Sequence, residues 1–372
     1  MNKMYGINSA WGAGAGFGRE DIQKIKQMGF NTVRAAFIYW GILMPTDEFT
    51  INDSVFTTSI GPSGTVGLDQ YVDWYEAEGM NIILTLAWTP WYKPPAWAFP
   101  GVTELYDRCE ILFTPGTREQ IGWINAWKAL ADRYKDRPHV MFEIINEPGI
   151  NDKASAYPEA YKVFMEELTD GIRATETIPH WNIVPMLRAG AGWEEVVDEQ
   201  PDINRPNIMW GTHRYTPWGD YDPNELKWGY DYETGKTGWI PAHKYVYWRI
   251  RRCADKIHSW GKPWMNTEFG KGIDMQNWAL YLDYILTLME ELGIDGWAFH
   301  SYNRSGENFS IVDAAGNIRT QILDVLAPHM EPTPPPEPPT PPIDLPAIGG
   351  IALAIADAAL ITYAAAVFLG LI

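Results

Sequence analysis

The chain has 372 residues, enough for one large domain or two ordinary ones. A composition that is 46% hydrophobic excludes wholesale disorder, and a formal charge of −18 opposes binding to a phosphate backbone, so nucleic acid is not an expected partner. Aromatic residues make up 14%, with 19 Trp. Tryptophan is large and loses little rotamer entropy when covered, so the surplus fits exposed stacking surfaces for sugar rings, or a Trp-rich core.

In chain order, Met1 to Trp11 shows no apolar signal region and predicts a strand at Met4–Asn8. Gly12 to Gly16 is glycine-rich but lacks a GxGxxG pattern, and reads as a loop. Further strands are predicted at Thr32–Phe37, Asn81–Trp88, Val140–Asn146, Asn182–Leu187, Asn207–Thr212, Pro263–Thr267 and Ile294–Phe299. Helical patterns alternate with them at Arg19–Met28, Leu68–Glu78, Thr117–Tyr134, Tyr157–Ala174, Glu194–Gln200, Ala242–Trp260, Gln276–Leu292 and Ile318–His329. The strands are continuously apolar, as in a parallel sheet buried on both faces. Eight βα units in residues 1–330 predict an α/β fold, a (β/α)8 TIM barrel; a doubly wound open sheet is the runner-up.

Beyond residue 330 the pattern changes. Glu331–Pro346 holds nine prolines in sixteen residues and predicts a semi-rigid linker. Residues 347–372 carry one charge, Asp357, and are long enough to cross a bilayer. They are expected to form a C-terminal transmembrane helix, the alternative being an Ala-rich helix packed on another protein. With such an anchor the protein would sit at the cell surface. Cys109 and Cys253 belong to no metal-binding pattern; a disulfide between them and two buried free thiols both remain open.

In a barrel the chemistry gathers at the C-terminal ends of the strands. Asn146-Glu147 ends the predicted fourth strand, His213 to Tyr215 the sixth, Glu268 the seventh, and Trp297 and His300 the eighth. Arg34, inside the second strand, is costly to bury unless it finds anionic partners. Strands four and seven face each other across a barrel mouth, so Glu147 and Glu268 form a candidate carboxylate pair. One member can donate a proton to a leaving oxygen while the other attacks a sugar carbon. The bland alternative is a pair of strand-end carboxylates neutralised by Arg or Lys. Glu143, four residues before Glu147, is expected to be buried and paired.

These residues resemble the clan A glycoside hydrolases, and most closely glycoside hydrolase family 5, the cellulase-like barrels, over about residues 4–330. Asn146-Glu147-Pro148 is similar to the family's fourth-strand signature, and Glu268 to its seventh-strand nucleophile. The resemblance implies that Glu147 is the acid/base and Glu268 the nucleophile. It implies that Arg34 supports the nucleophile, and that Asn146, His213 and Tyr215 bind substrate or orient the pair. Trp297 would stack on the sugar at the cleavage point. The family's third-strand His is absent from Leu84 to Trp91; Trp88 or Trp91 is the candidate to fill its place by stacking.

The expected activity is retaining, endo-acting hydrolysis of a β-1,4-linked polysaccharide, with cellulose-like glucan first and mannan second, and no cofactor or metal. A catalytically silent carbohydrate-binding surface protein is the alternative. Clusters of aromatic residues after the third strand and at Trp218 to Trp239 predict an extended cleft.

Overall fold

The computed structural model describes residues 3–9, 17–38, 53–57, 66–87, 112–148, 158–187, 197–215, 220–303 and 307–330. The chain divides into two units, Met1–Glu331 and Pro332–Ile372. The predicted linker and membrane helix lie outside the described residues. Among the described residues, no helix is long and apolar enough to cross a membrane.

Eight parallel strands close into a barrel. In chain order they are β1 (Met4–Ser9), β2 (Thr32–Ile38), β3 (Asn81–Ala87), β4 (Val140–Glu143), β5 (Asn182–Pro185), β6 (Ile208–Arg214), β9 (Trp264–Phe269) and β10 (Gly296–Tyr302). Each pairs with its neighbours in sequence, and β10 returns to pair with β1. Between β6 and β9 lies an antiparallel hairpin, β7 (Leu226–Asp231) and β8 (Lys236–Pro241). The outer layer comprises α1 (Arg19–Gln27), α3 (Leu68–Ala77), α4 (Arg118–Arg133), α5 (Pro158–Arg173), α6 (Ala242–Ser259), α7 (Trp278–Glu291) and α8 (Thr320–Leu326), with a short α2 (Ser54–Thr57) before α3. Of the helix predicted at Glu194–Gln200, only residues 197–200 are described.

Strand side chains alternate in direction, so each barrel strand feeds two compartments. Met4, Ile83, Met141, Ile183, Met209, Met265 and Ala298, one from each of seven strands, form an apolar layer inside the barrel. Their neighbours, including Ile82, Phe142, Trp210, Trp264 and Trp297, belong to the larger core that includes the helices. This two-sided burial is why the strands are apolar without alternation in the sequence. Helix-to-strand turns use glycines in the left-handed region, such as Gly79 (φ 65) before β3 and Gly293 (φ 75) before β10, which end the helix without a Cβ clash.

The structure differs from the sequence reading between β6 and α6, where a loop was expected. The hairpin lays Gly229 against Tyr245 and Trp248 of α6, so close that a Cβ there would meet Trp248 at 2.9 Å. Its opposite face leaves Trp228 59% and Trp239 67% exposed. Cys253 is buried on α6, where its Sγ accepts from Arg214 Nη2, and Cys109 lies outside the described residues.

Candidate active site

The site starts where β4 stops. The β-ladder of β4 ends at Glu143, and Ile144 still donates its N–H to the Ile183 carbonyl at 3.1 Å. The Ile144 carbonyl then accepts two hydrogen bonds, from Trp123 Nε1 and Trp127 Nε1, each at 2.9 Å. These indoles lie four residues apart on one face of α4, whose first turn is capped by the Thr117 side chain accepting from the Gln120 N–H. Both indoles are fully buried and need a partner for their N–H. By sharing one carbonyl they fix the backbone three residues before Glu147. In the sequence these tryptophans are visible only as part of the helical pattern Thr117–Tyr134; the structure gives them this task.

Glu268 reaches the mouth through an irregularity in β9. In the β6–β9 register, Thr212 pairs with Asn266 and His213 with Glu268, so Thr267 is an extra residue. The β10–β9 pairing shifts at the same place. Met265 faces the barrel interior. Plain alternation would send Glu268 outward, three residues later. The bulge at Thr267 reverses that and aims the carboxylate inward. Just beyond, a Cβ on Gly270 would lie 2.6 Å from the His300 carbonyl, so only glycine lets the end of β9 pass β10 this closely.

Arg34 sits at the centre, 2% exposed. Its Nε donates to Glu143, its Nη1 to Glu268 Oε2 at 2.8 Å and to Asn8 Oδ1 at 3.3 Å, and its Nη2 to Asn146 Oδ1. Asn8 in turn donates from Nδ2 to the Thr267 carbonyl at 3.3 Å, tying β1 to the bulge. Asn146 uses its Oδ1 for Arg34, so Nδ2 is the end of its amide that can donate. The second oxygen of Glu268 accepts from the Tyr215 hydroxyl at 2.6 Å. His213 Nδ1 lies 2.9 Å from Glu147 Oε1 and 3.9 Å from Glu268 Oε2, and its Nε2 lies 3.9 Å from Glu143 Oε1. Glu147 and Glu268 keep 15% and 16% of their side chains exposed, so each can still reach a ligand.

This geometry separates charges. Burial works against ionising Glu268, but His213, Arg34 and His300, with the Tyr215 hydrogen bond, bring it down to about 2. Burial likewise opposes a charged His213, yet Glu268, Glu143 and Glu147 push it up to about 9. Glu143 is lowered despite complete burial, chiefly by Arg34 and then His213. Burial and the adjacent Glu268 raise the Tyr215 hydroxyl well above its ordinary range, so it stays a donor. Glu268 is therefore an ionised carboxylate with both oxygens fixed, as an attacking group requires.

The structure brings together Arg34, Asn146, Glu147, His213, Tyr215 and Glu268. Trp297 is corrected: its side chain is 0% exposed and its ring packs edge-on against Tyr5, Phe30 and Phe269. Strand parity is the reason. Ala298 belongs to the interior layer, so Trp297 and Phe299 face the helices, while His300 falls on the interior side. His300 lies edge-on to Tyr215 with ring centroids 6.1 Å apart, and it acts on the charge of Glu268. Trp88 lies outside the described residues. Sequence reasoning missed Asn8, a polar residue near the end of a buried strand. It placed Glu143 correctly as buried and paired.

Donor atoms of Glu147, His213 and Glu268 come within 4.8 Å of one another. That spacing would also suit a cation, but the Arg34 guanidinium already sits among these carboxylates, and its charge opposes a metal.

A closed parallel barrel with two glutamates converging at the C-terminal ends of its strands defines the glycosidase barrels as a class. The chain belongs to the cellulase family, glycosyl hydrolase family 5, whose sequence model matches residues 2–306. It is a glycoside hydrolase. No curated protein matches it. Among solved structures, the endoglucanase of the hyperthermophilic Thermotoga maritima is 19% identical with a TM-score of 0.65, over 87% of this chain and 96% of that one. The cellulose synthase subunit Z of Clostridioides difficile is 18% identical with a TM-score of 0.64, over 87% and 99%. A family 5 xyloglucan-specific endo-β-1,4-glucanase from a metagenomic library is 17% identical with a TM-score of 0.64, over 88% and 96%. At these identities the likeness is one of fold.

Proposed function

We propose that the enzyme is a retaining, endo-acting hydrolase of a β-1,4-linked glucan, with mannan as the second candidate substrate. The observation that carries the mechanism is the approach of Glu147 and Glu268, whose nearest oxygens lie within 4.8 Å. Inverting enzymes hold their carboxyl groups about 6.5–9.5 Å apart to admit a water, whereas a retaining pair sits at about 5–5.5 Å. Glu268, ionised and clamped by Arg34 and Tyr215, attacks the sugar carbon. Glu147 gives its proton to the departing glycosidic oxygen. Water then releases the glycosyl-enzyme ester, with Glu147 acting as base. Asn146 Nδ2 is placed to donate to a substrate hydroxyl beside the reacting carbon. The glucan preference draws on the family and on the endoglucanase and the xyloglucan-specific glucanase among the structural neighbours.

Glu268→Ala tests this reading. Turnover of an aryl β-cellobioside should vanish, and added azide should restore it with formation of the inverted glycosyl azide. Azide rescue with retained configuration, or none, would refute the nucleophile assignment. Residual wild-type-like turnover would do the same.

A further inference from the structure

We propose that the outer face of the β7–β8 hairpin is a second, non-catalytic binding site for an uncharged polysaccharide, where Trp228 and Trp239 stack on pyranose rings and tether the enzyme to its polymer. The inference rests on the polysaccharide reading given above and adds a site on the outer helical layer.

Of the eight large hydrophobic side chains exposed among the described residues, four lie on this hairpin or its turn: Leu226, Trp228, Tyr232 and Trp239. Such a concentration of apolar surface marks an interaction site. The two indoles sit directly opposite each other and meet edge to face, with centroids 5.7 Å apart and planes at 79°. Each stiffens the other, yet both remain more than half exposed. The next pair on the same face, Tyr230 and Thr237, adds two hydroxyls. Tyr232 extends the aromatic surface to the turn, edge-on to Tyr230 at 5.2 Å and to Tyr247 of α6 at 5.7 Å. The face is held from below. Gly229 packs on Tyr245 and Trp248 with the buried Ile240 beside it, and Lys244 Nζ donates to Asp231 Oδ2 at 3.0 Å. A preformed surface loses little freedom on binding.

Charge and shape together name the occupant. The charged residues of the hairpin cancel, Lys227 and Lys236 against Asp231 and Glu233. Lys227 pairs with Glu225, and Lys244 with Asp231 and Glu233, so these charges are neutralised within the protein. The face therefore has no net field to attract an ion. The chain as a whole carries −18, which repels a second copy and an anionic lipid surface alike. A neutral glycan meets no such barrier. A pyranose ring is apolar across its faces and carries its hydroxyls at its edge. It can lie flat on an indole, cover apolar area, and keep its hydroxyls in water or on Tyr230 and Thr237. One long chain can meet this face and the barrel mouth at different points, and each contact raises the effective concentration of the chain at the other.

The test is affinity electrophoresis of the full-length chain in native gels that contain hydroxyethyl cellulose, glucomannan or xyloglucan. Glu268→Gln serves as the background, so that the polymer is not consumed. At least one polymer should retard this chain, and adding Trp228→Ala with Trp239→Ala should weaken the retardation about tenfold or more. Replacing both indoles by Tyr should recover part of it. In the otherwise wild-type enzyme, the double alanine variant should raise KM for the same polymer about threefold or more with kcat unchanged. Its kcat/KM for an aryl β-cellobioside, too short to span two sites, should stay within about twofold. No retardation by any of the three polymers overturns the proposal, as does retardation unchanged by loss of the indoles. Equal losses on polymer and aryl cellobioside overturn it by placing the indoles at the mouth. A dimer in sedimentation velocity that the double variant converts to monomer overturns it in favour of an interface between copies. Should the double alanine variant fail to fold, Trp239→Ala alone decides on the same criteria. If Glu268→Ala keeps wild-type turnover while retardation still depends on the indoles, the proposed mechanism fails and the second site stands.

Discussion

The lower layer of the barrel interior, from Met4 to Ala298, carries no charge, whereas one step nearer the mouth Arg34, Glu143, His213, Glu147 and Glu268 crowd into a single network. The same strands build both layers. Met141 and Glu143 share β4, and Met209 and His213 share β6. Apolar burial is non-directional and roughly additive, so the lower layer gains stability from any well-packed side chain. The charged layer gains little net stability, because desolvation offsets most of the attraction between its ions. What it gains is a fixed distribution of charge around two glutamates. The lower layer therefore serves folding, and the upper layer serves chemistry.

Removing the central cation should break that division most severely. Arg34→Met leaves Glu143 and Glu268 buried without their shared partner. A loss of about 3–5 kcal/mol in stability is expected, together with loss of turnover. Urea denaturation at pH 7 measures the first, and an activity near wild type would refute the central placement of Arg34. Ile183→Ala probes the lower layer instead. Ile183 lies on β5, which supplies none of the site residues, so the cavity should cost about 2–5 kcal/mol while kcat at 25 °C stays within about twofold. A large fall in kcat with an unchanged KM would mean that the two layers are coupled.

The pH dependence separates the layers more finely. His213 is raised from 6.5 to about 9, so the folded state holds a proton that the unfolded chain releases. Its stabilising contribution is full below pH 6.5 and is lost as pH rises through about 9. Glu268 is lowered from 4.5 to about 2, so its contribution is present above pH 4.5 and is lost as pH falls through about 2. Thermal melts of Ile183→Ala should keep the alkaline loss, and those of His213→Gln should lack it. An identical alkaline slope in both variants would remove His213 as its source.

Much of this arrangement was legible in the sequence. Continuous apolar runs marked the eight barrel strands, because both of their faces are buried. Polar residues at the ends of those runs marked the mouth. What the sequence leaves unread has local causes. Glu268 points inward only because Thr267 is an extra residue, and no periodicity announces a bulge. Trp297 is expected at the site only through its resemblance to the family's eighth-strand Trp, which says nothing of side-chain parity. The strand runs to Tyr302, and parity then assigns the interior to Ala298 and His300. The task of Trp123 and Trp127 is invisible in the sequence because the carbonyl that accepts from their N–H groups belongs to another element. The hairpin did leave a signal: Trp228, Tyr230 and Tyr232 alternate ahead of Gly235, which turns with φ 69.

That hairpin offers the smallest and most selective perturbation. Trp228 and Trp239 sit directly opposite each other on its outer face, edge to face at 5.7 Å, while Gly229 and Ile240 cover α6 from the inner face. The expected cleft-lining role for these two indoles would make them part of the catalytic mouth. The hairpin's packing on α6 implies that they act independently of it. Trp228→Ala and Trp239→Ala should each change stability by no more than about 0.5 kcal/mol, as surface positions do. Both should also leave kcat/KM for an aryl β-cellobioside within about twofold. A tenfold loss on that small substrate would return the hairpin to the mouth. Unchanged kinetics beside a melting temperature lowered by several degrees would show instead that the exposed indoles hold the hairpin on α6.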